Sequence, residues 1–138
     1  MAQVKQITFE NAAAQLIEHI PEYKAIYDQK REAFGEEAQY VIFGLPFVQF
    51  LREVVQHKPA HDTLLQRAFF FIEQCANTDD EDILALIRTG FLEDLIKSGT
   101  DEETFVPYMG AKTKSLLAEI KVWWAKFAEA NEKNDLPR

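Results

Sequence analysis

Apolar residues recur along this chain at spacings of three and four, the period that lines them up on one face of an α-helix. The first such stretch opens at Thr8, whose hydroxyl can cap free backbone N–H groups, and carries Phe9, Ala13, Leu16, Ile17 and Ile20. Pro21 ends that helix or opens the next, because proline suits a first helical turn. Tyr23, Ile26, Tyr27 and Phe34 then form a second stripe, with Gly35 as its C-terminal stop. Tyr40-Val41-Ile42-Phe43 has the composition of a short strand, but no partner strand is evident. The segment is therefore read as helix, interrupted at Gly44 and restarted at Pro46, with Phe47, Phe50, Leu51, Val54 and Val55 on its apolar face. Residues 57–61 form a connection, since Pro59 disfavours a helical residue before it.

Asp62 reads as the cap of a further helix that is apolar nearly all round its second half, the mark of a central helix. Asn77-Thr78-Asp79 is a polar break. Acids crowd the first turn of the next helix, where they complement its dipole. That helix buries a wide face from Ile83 to Ile96, Gly90 kinks it or admits a neighbour, and Gly99 ends it. A short helix follows Thr100, and a long one runs from about Gly110 through Leu116, Leu117, Ile120, Trp123, Trp124 and Phe127. The expected architecture is all-α, a single-domain bundle of about six helices over residues 1–138, with a hint of stacked helix pairs. Residues 1–7 and 134–138 are expected to be flexible tails.

Composition adds that the chain can fold without staples: 138 residues, 47% of them hydrophobic, suffice for one core. The single cysteine, Cys75, lies in an apolar run and reads as a buried free thiol, which suits a reducing cytosol. No secretory leader is visible at the N-terminus, and no stretch approaches the roughly 20 apolar residues that span a bilayer. The expected location is cytoplasmic.

Charge changes the picture more. The formal net charge is −8, and the segment from Glu73 to Glu103 holds ten acids and two bases, so it carries the whole of it. The acids are Glu73, Asp79, Asp80, Glu81, Asp82, Glu93, Asp94, Asp101, Glu102 and Glu103. Nucleic acid and anionic membrane are thereby disfavoured as direct partners, because both need clustered Lys and Arg.

Candidate chemistry is sparse, and no catalytic residue, metal or cofactor is expected. His57 and His61 have the four-residue spacing of a zinc pair, but Pro59 stands between them and no glutamate completes the motif. The acids from Asn77 to Asp82 lack the glycine and the twelfth-position glutamate of a calcium loop, and capping explains their placement. Cys75 has no basic neighbour to lower its pKa, and Ser98 and Ser115 lack a glycine-framed turn. Glu73 stands out inside an aromatic helix, where a lone carboxylate would be costly to bury. It must face solvent at a groove or pair with a base such as Arg67 or Arg88. Trp123 and Trp124 are adjacent, so one of them is left to lie along a neighbouring helix or to act as an exposed anchor, a role assigned here to Trp124.

The stretch from Phe69 to Leu95 resembles a family of small, uncharacterised, helical bacterial proteins. The residues concerned are Phe69-Phe70-Phe71-Ile72-Glu73, the spacer from Asn77 to Asp82, and Phe91-Leu92-Glu93-Asp94-Leu95. Ile20-Pro21-Glu22 and Met109-Gly110-Ala111-Lys112-Thr113 are similar to that family's first and last motifs. Such proteins look similar to immunity proteins, which neutralise a cognate secreted toxin. The resemblance implies a protein-binding inhibitor and no enzyme, with the acidic segment meeting a basic toxin domain. Two other classes stand beside it: a non-inhibitory helical adaptor or regulatory module, and a small enzyme or metal protein whose site is assembled across helices.

Overall fold

Asn11 and Thr8 close the turn that starts the fold. The Thr8 N–H donates to Asn11 Oδ1 at 2.8 Å, and the Asn11 N–H donates to Thr8 Oγ1 at 3.1 Å. This exchange holds Phe9 against the core and delays the first helix, α1, to Ala12–His19. The helix expected from Thr8 therefore begins four residues later, because Thr8 caps a turn instead. The structure is a computed structural model that describes residues 6–35, 38–57, 62–97 and 102–133. Most of the expected tail residues, Gly99, Asp101 and His61 lie outside the described residues.

Pro21 opens a 3₁₀ turn, Pro21–Tyr23, that leads into α2, Lys24–Phe34. Gly35 ends α2 at φ 62°, a backbone conformation that other residues adopt at a cost. The Tyr40 segment is helical: α3 is Ala38–Phe43, Gly44 is a bend, and α4 is Leu45–His57. Helix α5, Asp62–Ala76, is central, with Leu64, Leu65, Ala68, Phe69, Phe71, Ile72, Cys75 and Ala76 buried. The acidic helix divides into α6, Glu81–Ala85, a π-helical stretch, Leu86–Leu92, and α7, Glu93–Lys97. After α8, Glu102–Phe105, and a 3₁₀ turn, Val106–Tyr108, comes the long α9, Ala111–Lys133. These nine α-helical elements among the described residues exceed the six or so expected, because the two halves of the segment interrupted at Gly44 count separately and the π stretch divides an acidic helix that reads as continuous.

The chain is an all-α single domain around one aromatic core. Tyr23, Phe43, Phe47, Phe69, Phe71, Phe91 and Phe105 are fully buried. Their rings form a connected series, with Phe91 5.5 Å from Phe47 and 5.9 Å from Phe69, and Tyr23 5.1 Å from Phe47. The Tyr23 hydroxyl satisfies itself on the Ile42 carbonyl at 2.7 Å, and burial pushes its pKa up. Cys75 is buried, and desolvation pushes its thiol up to about 12, so it stays protonated at neutral pH.

Two glycines let helices approach. A Cβ on Gly44 would lie 2.7 Å from Asp94 Oδ2, 2.8 Å from the Tyr40 carbonyl oxygen and 3.1 Å from the Gly90 carbonyl oxygen. Gly90 in turn faces Tyr40 and Phe43, so it admits α3 as a neighbour. The π stretch lies at this crossing, where α3 packs against it.

Candidate functional site

Glu73 projects from the last part of α5 toward the start of α9. Its Oε1 accepts from the Thr113 N–H at 2.9 Å and the Thr113 hydroxyl at 2.7 Å, and its Oε2 accepts from the Lys112 N–H at 2.9 Å. The carboxylate thus satisfies N–H groups that the first turn of α9 cannot bond within the helix, and its charge meets the positive end of the dipole. Glu73 is half-buried and pairs with no base among the described residues, so the expected partners Arg67 and Arg88 are replaced by donors of α9. It is a helix cap supplied by a different helix. Gly110 is the residue that allows this, because a Cβ there would fall 2.3 Å from Glu73 Cδ.

Burial would push the Glu73 carboxyl up, but the bonds from the Thr113 hydroxyl, the Lys112 and Thr113 N–H groups and the Asn77 amide hold it below the usual carboxylate range. Folding therefore favours the ionised form. The resulting stability is complete above the ordinary pKa of about 4.3 and is lost as pH falls through that value toward the folded one. In Glu73→Gln the slope of unfolding free energy against pH, between about 5 and 3, is expected to be shallower than in the wild type. Urea melts across that window check this, and equal slopes would refute the cap's ionic character.

The other sequence-selected acids divide into those engaged within the fold and those left outside it. Asp80 caps α6, accepting from the N–H groups of Asp82 at 2.8 Å and Ile83 at 3.3 Å. Glu102 pairs with Lys121 of α9, and Glu81 lies 3.7 Å from Arg88. Asp94 lies beside Gly44 at the helix crossing. Asp79, Asp82 and Glu103 are exposed, with no side-chain ion pair among the described residues. Helix capping and local pairing thus account for much of a run that reads, by charge alone, as one binding face.

The last residue of α9 described as buried is Ile120, yet its apolar pattern continues. Trp124 is half-buried against the core, with the Lys97 ammonium 5.9 Å from its ring centroid. The more exposed tryptophan is Trp123, at 58%, whereas Trp124, expected as the anchor, is the half-buried one of the pair. Its ring stacks on that of Phe127 with centroids 5.4 Å apart and planes 5° from parallel, and Val122 is exposed beside them. This aromatic ledge was missed because a helical stripe reads the same whether or not another element covers it.

Between the ledge and the π stretch is a cleft of about 320 Å³ lined by Arg88, Thr89, Glu93, Glu119, Ile120 and Trp123. Glu119 and Trp123 share a face of α9 at i, i+4. Glu93 reaches the same cleft as Arg88 through the π hydrogen bond, in which the Glu93 N–H donates to the Arg88 carbonyl five residues back. In an uninterrupted α-helix, residues five apart lie about 140° from each other. A neighbouring cleft of about 300 Å³ continues past Arg88 to Asp79, Glu81 and Lys112, so the groove runs from the acidic start of α6 to the ledge.

Among the described residues no three His, Cys, Asp or Glu side chains are grouped to hold a metal ion, and no helix is long and apolar enough to cross a membrane. The described geometry brings together recognition groups of three kinds: aromatic rings, carboxylates and one guanidinium. A protein-family model described as a domain of unknown function, DUF7674, matches residues 13–126. That range holds every motif block quoted above and all the residues lining the cleft. No curated protein matches the chain, and no solved structure does.

Proposed function

We propose that this chain, which belongs to the DUF7674 family, is a protein-binding inhibitor of the immunity type, neutralising a basic toxin domain in the cytoplasm. The observation that carries the reading is the α9 ledge: Trp123 and Phe127, 58% and 55% exposed, stacked beside a groove that ends at the acids of α6. Large exposed aromatics held rigid by a neighbour are the usual anchors of protein interfaces, since they bury much area and lose little freedom. The acids Asp79, Asp82 and Glu103, without an ion pair among the described residues, would attract a basic partner and speed encounter, while the ledge supplies the affinity. A toxin that acts on nucleic acid has to be basic to bind it, which makes an acidic antagonist suitable.

The test is complex formation and growth protection with a toxin domain encoded beside this gene. Trp123→Ala is expected to raise Kd about tenfold, an effect of about 1.4 kcal/mol, while leaving the melting temperature in place. Reversing Asp79, Asp82 and Glu103 to Lys is expected to slow association and reduce its salt dependence. Asp80 is kept, because its reversal would uncap α6 and confuse folding with binding. Affinity and protection unchanged in both variants would rule this surface out.

A further inference from the structure

The cleft beside Trp123 contains carboxylates that folding does not use. Glu93 is half-buried and Glu119 exposed, and neither carboxylate accepts a hydrogen bond or forms an ion pair among the described residues. The base in the cleft, Arg88, lies 3.7 Å from Glu81, which lines the adjoining cleft. Trp123 adds an aromatic wall whose ring lies parallel to that of Phe127. The π stretch brings Glu93 around to this side of its helix, so the two acids come from separate elements and flank one space.

An aromatic face beside two unpaired carboxylates is complementary to a planar cation. A guanidinium stacks on the indole through its flat face and donates to carboxylates from its edge, which an ammonium does less well. We propose that this cleft is the receiving pocket for an arginine side chain of the partner protein, set between Trp123, Glu93 and Glu119. The identity of the donor rests on the inhibitor reading above, whereas the pocket's preference for a guanidinium can be measured without the partner.

The pocket is tested by following the two indole N–H signals by NMR, assigned with Trp124→Phe, while adding N-acetyl-arginine amide. N-acetyl-citrulline amide, a neutral near-isostere, and N-acetyl-lysine amide serve as comparisons. The Trp123 signal is expected to shift saturably with the arginine amide, about tenfold more weakly with the lysine amide, and not with the citrulline amide. Glu93→Gln combined with Glu119→Gln is expected to weaken the arginine response about tenfold with an unchanged circular dichroism spectrum. An equal response to citrulline, an equal or stronger response to lysine, no response to arginine, or an undiminished response in the double variant would each overturn the pocket. The two readings then separate. A toxin complex that forms with full affinity in the Glu93→Gln, Glu119→Gln variant removes the arginine pocket and leaves the inhibitor in place. Arginine binding without any toxin complex removes the inhibitor reading.

Discussion

Gly44→Ala is expected to destabilise the protein by about 3 kcal/mol, the upper end of the cost of overpacking a tight core. The new methyl group would meet the Tyr40 carbonyl at 2.8 Å and the Gly90 carbonyl at 3.1 Å, and both are backbone atoms that cannot rotate away. Relief requires the bend after α3 to open and the π stretch to move away from it, which would loosen the packing of Phe43 and Phe91. Gly90→Ala is the informative control at the same crossing. Its Cβ would come no closer than 3.3 Å to any neighbour, Leu86 Cδ1 and Tyr40 Cδ1 being the nearest, and alanine is the better helix former by about 1 kcal/mol. The two terms nearly cancel, so Gly90→Ala should stay within about 1 kcal/mol of the wild type. Urea melts of both variants decide the matter. A Gly44→Ala protein as stable as Gly90→Ala would mean that the helices are not held at this separation.

The second large effect is a coupling. Glu73→Ala removes the cap of α9 and leaves the N–H groups of Lys112 and Thr113 without their acceptor, at a cost of about 2 kcal/mol. Gly110→Ala should cost a similar amount by a different route. Its methyl group would occupy the position of the Glu73 carboxylate and expel it, and alanine caps poorly in its own right. Because both changes break the same contact, the double variant should lose little more than either one. The interaction energy in a double-mutant cycle is therefore expected to be at least about 1 kcal/mol. Strict additivity would show that Glu73 and Gly110 act independently, and the cap as described would be wrong. Since α9 also carries Trp123, the proposed inhibitor function predicts that the single variants bind the toxin domain more weakly as well, through loss of the helix's position.

These pairs show why the motif blocks of the sequence were visible while their meaning was not. Ile72-Glu73 and Met109-Gly110-Ala111-Lys112-Thr113 stand apart in the chain, yet they form one joint, in which an acid from one block fits against the glycine of the other. Glu22 of Ile20-Pro21-Glu22 likewise pairs with Arg67 of α5 at 2.7 Å, and Arg67 also donates to the His19 carbonyl at the end of α1. In both cases the partner is about forty residues away in the chain. Local patterns cannot register that separation. By contrast, the capping role of the acids at the start of α6 was legible as a group, because Asp80 and the N–H groups that it caps lie within three residues of each other.

The sequence by itself determined the helical class, the central place of the Phe69 helix, the break at Gly44 and the long final helix, because each follows from apolar spacing or from a neighbour in the chain. It also located the net charge between Glu73 and Glu103. Tertiary structure alone decided which of those charges are consumed by folding. It assigned Glu73 to α9, brought Glu93 beside Arg88 through a π turn, and left Trp123 rather than Trp124 outside the core. The physical reason is common to all three. Periodicity fixes the face of a helix on which a side chain lies, but only the packing of other helices fixes whether that face is covered, and by what.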